Sequence, residues 1–267
     1  MQSAMFNATA VLALDLSPAE APLLGCMPPL LRWGVERLVI VHVVRVGYGQ
    51  GPGYHEVDDT TARIEANAQP LRAAGLDVRV QVRMAGVVAD EILAAAGEVG
   101  AGLVVVGSRS HNLISRLFLG SVARDMVRKS PLPLLLEWLE PTAEATAARC
   151  EAVCADLLRH VVLATDLSRH AAAAERAGLA LAEHAQRVDA LTVLAPAALD
   201  ETPALPVMAR AALDDWLRRV GNAAARGEAI VATGDAAPTI ARVAIERDAT
   251  LVVVGKQLRC PAVPVDH

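Results

Sequence analysis

The segment Val104-Val105-Val106-Gly107-Ser108-Arg109-Ser110, followed by Gly120-Ser121-Val122, carries the clearest chemistry in this sequence. Glycine removes the Cβ that would hold a phosphate away from the main chain. A helix opening at Gly120-Ser121 presents backbone N–H groups that no carbonyl within the helix has taken, and its dipole favours an anion there. The Ser121 hydroxyl is placed to cap that helix or to donate to a phosphate oxygen. Taken singly, Gly107 serves as a strand-ending turn and Ser121 as a cap. At the joint spacing G-x2-S-x9-G-S they read as a phosphate-binding loop.

Such a loop needs a strand before it and a helix after it. Leu103 to Gly107 is an apolar β-branched run suited to a buried parallel strand, and Val122 to Ser130 is amphipathic. Further apolar runs predict strands near residues 9–14, 37–44, 77–83 and 132–137, with helices in most gaps. Gly47 to Gly53 reads as a loop, Thr60 to Ala74 as a helix ended by Gly75, and the first helix as broken by Gly25, Pro28 and Pro29. Strands alternating with helices imply a doubly wound parallel sheet with right-handed crossovers.

The pattern then repeats. Val11 to Ser17 matches Val161 to Ser168, Leu38 to Val44 matches Val188 to Leu194, Gly86 matches Gly234, and Leu103 to Gly107 matches Leu251 to Gly255. Asp15 precedes Gly107 by 92 residues and Asp166 precedes Gly255 by 89, so the halves are copies of one unit in unchanged order. Strands of the second copy fall near 161–165, 188–194, 228–233 and 250–254. The expected division is a first α/β domain over 1–140, a helical linker over 141–158 and a second α/β domain over 159–267. No glycine-serine pair follows Gly255, so the second phosphate loop is missing, although Cys260 to Val265 resembles Pro131 to Leu136 and is expected to supply a short edge segment.

The loop resembles the nucleotide-binding pattern G-x2-G-x9-G-[S/T] of the universal stress protein family, with Ser110 standing where the pattern has its second glycine. The tandem arrangement is also known in that family. What the resemblance implies is a Rossmann-like fold in two tandem domains, the second truncated, and ATP, ADP or AMP, with or without magnesium, at the carboxyl ends of the first domain's strands. Residue by residue, Ala13, Leu14 and Asp15 match the adenosine-contacting end of the first strand, and Val43 matches an adenine-packing position on the second. Val106, Gly107, Arg109, Ser110, Gly120, Ser121 and Val122 match the remaining nucleotide contacts. Arg109 adds positive charge beside phosphates. Family members commonly pair through their last strands, which implies either an internal pseudo-dimer of the two copies or pairing with another chain. Pro261 and Pro264 remove backbone donors from the second copy's edge, so a homodimer assembled at least partly through the first copy, at the edge beside Pro131 to Trp138, is expected.

Other chemistry-bearing residues have plainer readings. His42 lies inside Val39 to Val44 and reads as a satisfied core histidine rather than a base. Asp15 reads as a helix cap as well as a site residue, and Asp166 as a cap alone. Cys150, Cys154 and His160 share one stretch but lack the second paired ligand cluster a metal site requires. Arg124, Arg128 and Lys129 read as a solvated helix face. Four cysteines, Cys26, Cys150, Cys154 and Cys260, are too scattered for a disulfide scaffold, and reduced thiols are expected.

Composition narrows the function classes. Hydrophobic residues make up 54% of the 267 and aromatics 3%, as in a core of Val, Leu, Ile and Ala. A net charge of −5 argues against nucleic acid as partner and confines any anion site to a local feature. No uncharged apolar segment approaches the roughly 20 residues that span a membrane, and no cationic leader precedes the first apolar run, so a cytoplasmic location is expected. No nucleophile, base and orienting acid stand together. Three functions remain: an ATP-binding stress-response sensor, a ligand-independent dimerisation scaffold, and a slow ATPase or phosphotransferase.

Overall fold

The computed structural model describes residues 6–45, 54–109, 120–139 and 156–256. The chain divides into two compact units, Met1–Ala155 and Asp156–His267.

The first unit is built on five parallel strands in the order β3-β2-β1-β4-β5. They are β1 (Thr9–Leu14), β2 (Arg37–Arg45), β3 (Asp77–Ala85), β4 (Leu103–Arg109) and β5 (Leu134–Leu139). Every residue of β1 is buried, as a central strand covered on both faces requires. Alternation divides the core. Val11, Val39, Val41, Val104 and Val106 pack on one face with Ile92 and Ala95 of α4 (Val88–Glu98) and Ala123 and Met126 of α5 (Ser121–Lys129). Leu12, Leu38 and Ile40 therefore face the other side, where α1 (Glu20–Gly25), a 3-10 turn (Pro28–Trp33), α2 (Tyr54–Asn67) and α3 (Gln69–Ala73) lie along the crossovers from β1 to β3.

The break in the first helix follows from Pro28, which opens the 3-10 turn. The expected single helix over 60–74 is instead two, separated at Ala68, because Pro70 cannot donate a helical hydrogen bond and occupies the first turn of α3. Cys26 corrects a second expectation: it is buried at the end of α1 and disulfide-bonded. Sequence spacing does not reveal which cysteines a fold brings together.

The second unit holds four parallel strands in the order β8-β7-β6-β9: β6 (His160–Ala164), β7 (Arg187–Leu194), β8 (Arg226–Thr233) and β9 (Leu251–Val254). Its helices are α6 (Ala172–Ala182), α7 (Pro196–Glu201), α8 (Leu205–Arg218) and α9 (Ala236–Glu246). Val161, Leu163 and Ala190 pack with Leu213, Trp216 and Leu217 of α8 on one face, while Val162, Ala164 and Leu191 pack with Val243 of α9 on the other. Among the described residues no strand pairs with the outer edge of β9. The Gly47 to Gly53 loop, most of the 141–158 connector and the Cys260 to Val265 segment lie outside the described residues.

Candidate functional site

Strand order reverses in the first unit between β1 and β4, the place where an open parallel sheet forms a crevice at its carboxyl edge. A cavity of about 440 Å³ lies there. Ala13, Leu14, Asp15, Val43, Val106, Gly107, Gly120, Ser121 and Val122, all singled out in the sequence, line it. Two others are not placed beside it: Arg109 ends β4 with its side chain outside the described set, and Ser110 lies outside the described residues.

Local structure explains how these side chains arrive. β1 ends at Leu14, and Asp15 turns the chain by accepting from the Ser17 N–H at 3.2 Å through Oδ1. Ser17 Oγ accepts from the Ala19 N–H at 3.2 Å. Between them Leu16 takes φ +54°, a left-handed conformation costly for a branched side chain. Asp15 therefore stabilises a turn and does not cap α1, whose N-cap is Ala19. Asp166 repeats this, accepting from the Ser168 N–H at 3.0 Å beside Leu167 at φ +58°.

On the other side of the crevice β4 runs past Gly107 to Arg109, so Gly107 is a strand residue rather than a terminus. Gly120 is the N-cap of α5 at φ −54°, ψ 158°, with no side-chain cap. Ser121 is thus the first helical residue, and its hydroxyl does not cap the helix as expected. The helical ladder begins where the Arg124 N–H donates to Gly120 O at 2.9 Å, leaving the amides of Ser121, Val122 and Ala123 ahead of it. A Cβ on Gly120 would meet nothing within 4 Å. The result is an open, positively polarised helix end on the cavity wall.

Sequence reasoning missed part of the lining. Ala19 and Leu23 come from the α1 side, Val88 and Ile92 from α4, and Val41, His42 and Arg45 from β2. The helical contributions depend on packing that no local pattern encodes, whereas the β2 residues lie beside Val43 and were open to the same alternation argument. His42 is hydrogen-bonded, as expected, with Nδ1 2.8 Å from Leu14 O. It is only half-buried, however, and it lines the cavity instead of the core.

Glu137 in β5 pairs in register with Gly107. Its carboxyl is buried, Oε1 has no hydrogen-bond partner, and burial pushes its pKa from 4.5 up to about 7. Lys129 is half-exposed and donates to Asp90 of α4 at 2.7 Å, which ties the end of α5 to its neighbour.

The equivalent crevice of the second unit is smaller, about 180 Å³, and is lined by Ala164, Thr165, Asp166, Leu191, Gly255 and Lys256 among others. No helix corresponding to α5 follows β9 among the described residues. The polar density of this unit lies elsewhere. Asp189, fully buried, accepts from the Glu228 N–H at 2.8 Å and from Arg187 Nε at 3.0 Å. These bonds hold its carboxylate below the ordinary range against the opposing cost of burial. His160 sets Nε2 3.0 Å from Asp189 Oδ2 and Nδ1 2.8 Å from Arg247 O. Both ring nitrogens are engaged in this network, while Cys150 and Cys154 lie outside the described residues. Among the described residues no cluster of metal-binding side chains is found. No described helix is long and apolar enough to cross a membrane.

Residues 9–136 and 158–259 each match the model of the universal stress protein family. Among solved structures, a universal stress protein from Archaeoglobus fulgidus DSM 4304 is 20% identical with a TM-score of 0.70, over 94% of this chain and 86% of that one. A functionally unknown protein from Pseudomonas aeruginosa PAO1 is 16% identical with a TM-score of 0.64, over 96% of this chain and 84% of that one. At these identities the likeness is one of fold. Curated proteins give no match.

Proposed function

Because the chain belongs to the universal stress protein family, we propose that its first unit binds an adenine nucleotide and that the protein acts as a nucleotide-dependent sensor or regulator of the stress response in the cytoplasm. One observation carries the reading: residues from the ends of β1, β2 and β4 and from the start of α5 converge on a single cavity. The unladdered amides of α5 supply an anion site within a chain of net charge −5. Apolar Val41, Val43, Val88 and Ile92 supply walls for a base. ATP is the ligand proposed, with ADP and AMP as shorter occupants of the same cavity. Any magnesium is carried by the phosphates, with Asp15 the carboxylate of the cavity wall.

The site binds rather than turns over. Among its described residues no nucleophile stands beside an oriented base, and His42 Nδ1 is committed to a backbone carbonyl. The second unit, with its smaller cavity and no counterpart of α5 among the described residues, takes no nucleotide, so one ligand binds per chain. β5 is the edge of the first sheet with Leu136 exposed, and it is the strand through which we propose a homodimer forms.

The test is the small molecule released when freshly purified protein is denatured, followed by calorimetric titration of emptied protein with ATP. An adenine nucleotide in the supernatant and one site per chain are expected. An empty protein that gives no heat with ATP, ADP or AMP rejects nucleotide binding and favours the scaffold reading. Two equivalent sites reject the asymmetry, and steady phosphate release would reinstate the ATPase.

A further inference from the structure

His42 is a polar side chain whose environment fixes what it can offer. It lies in β2 directly beside Leu14 of β1 in the parallel register. Its Nδ1 is 2.8 Å from Leu14 O. A carbonyl oxygen only accepts, so the proton of the neutral ring sits on Nδ1 and Nε2 is an acceptor. That bond is the one hydrogen bond His42 makes among the described residues, and half-buried His42 is one of the residues lining the cavity, so Nε2 has no partner there and can serve a ligand. A histidine so pinned is a rigid acceptor, whereas a free one would rotate to suit either a donor or an acceptor.

Its place along the sheet indicates which part of the ligand it meets. β2 and β4 flank β1, so their axes lie roughly 10 Å apart. The anion-binding start of α5 belongs to the β4 side. A ligand with its phosphates on the amides of Ser121 and Val122 lays its opposite end over the end of β2, where Val41 and Val43 wall the cavity on the α5 side of the sheet and His42, the residue between them, borders it from the other side. The walls there are apolar, and a hydrogen bond made among apolar walls discriminates strongly, because a mismatched ligand leaves the acceptor unpaired.

We infer that His42 is a specificity-determining residue whose Nε2 accepts a hydrogen bond from the exocyclic amine of the bound base, so that the site selects a 6-amino over a 6-oxo purine. This rests on the nucleotide reading above. An oxo group at that position would set an acceptor against an acceptor.

The test is calorimetric titration of the full chain with ATP, inosine triphosphate and 2′-deoxyadenosine triphosphate, on wild type, His42→Asn and His42→Phe. Asparagine keeps a donor for Leu14 O but has no atom at the Nε2 position, so it preserves the fold while removing the proposed contact. Wild type is expected to bind ATP at least about tenfold more tightly than inosine triphosphate. The ratio should fall to within about twofold in both variants, with unfolding temperature unchanged in the asparagine variant. Equal binding of ATP and inosine triphosphate by wild type, or a ratio that survives in His42→Asn, overturns the inference. So does weak binding of the deoxynucleotide beside full-strength inosine triphosphate, which would move the contact to the ribose. If wild type binds none of the three, the nucleotide reading has failed and the inference falls with it. A measurable ATP site without discrimination defeats the inference alone.

Discussion

Replacing Gly120 by leucine separates a ligand role for this residue from a structural one. Its φ of −54° and ψ of 158° are open to any residue, and a Cβ there meets nothing within 4 Å. Folding stability therefore changes little. Removing a glycine from the unfolded chain gains about 0.4–1 kcal/mol, and losing a favourable N-cap residue costs a comparable amount. Net stability stays within about 1 kcal/mol, or about 4 °C in unfolding temperature for a unit of this size. Binding behaves otherwise. The leucine side chain stands over the Ser121 and Val122 amides, and losing even one charge-assisted bond to phosphate costs about 1.5–3 kcal/mol, roughly a 10- to 150-fold rise in Kd. Calorimetry with ATP reads this directly. Adenosine, which has no phosphates, is the control and should bind both proteins alike. A folded leucine variant that binds ATP within twofold of wild type would refute the idea that phosphate occupies the start of α5.

Glu137 has a folded pKa of about 7 against an ordinary 4.5, so its contribution to stability is fully present below pH 4.5 and is lost as the pH rises to about 7, by about 3 kcal/mol in all. Thermal unfolding across that range should show the decline, and Glu137→Gln should flatten it; an unchanged slope would contradict the assignment. In the second unit a Cβ on Gly227 would collide with Asp189 Oδ1 and lie 2.8 Å from Val188 O, so Gly227→Ala should cost about 3 kcal/mol in urea unfolding, whereas a neutral result would mean the β7–β8 register yields easily. Light scattering should give a dimer at micromolar concentration, converted to monomer by Leu134→Pro in β5; a wild-type monomer, or a variant that stays folded and dimeric, would remove β5 as the contact.

Much of this architecture was legible because β-branched runs bounded by turn residues leave few alternatives. All nine described strands fall within a few residues of their expected positions, from Thr9–Leu14 to Leu251–Val254. Nine residues of the proposed site meet in one cavity because strand ends and a glycine-led helix start are local features with local signatures. What escaped is tertiary. The roles of Leu23 and Ile92 depend on where α1 and α4 settle over the sheet, and the burial of Asp189 beside His160 depends on strand pairing across 29 residues. Ser121 was misread as a cap because a serine before an amphipathic run looks alike one position either way. The split at Ala68 was missed although Pro70 was in plain view, since the apolar pattern continues through it.

The paired turns at Leu16 and Leu167 carry information about history. A left-handed leucine costs about 1 kcal/mol or more, and it occurs twice, each time between an aspartate and a serine that fold back on the backbone in the same way. Two independent origins of one unfavourable conformation with one triplet are far less economical than inheritance. The shared turn is what two halves descended from one unit would both retain. Among the described residues the halves differ at the opposite wall of the crevice, where Gly120 and α5 follow β4 and no helix follows β9. Chimeras that carry the first half's segment from Gly107 to Trp138 into the second would begin from a strand exit already shaped to receive it.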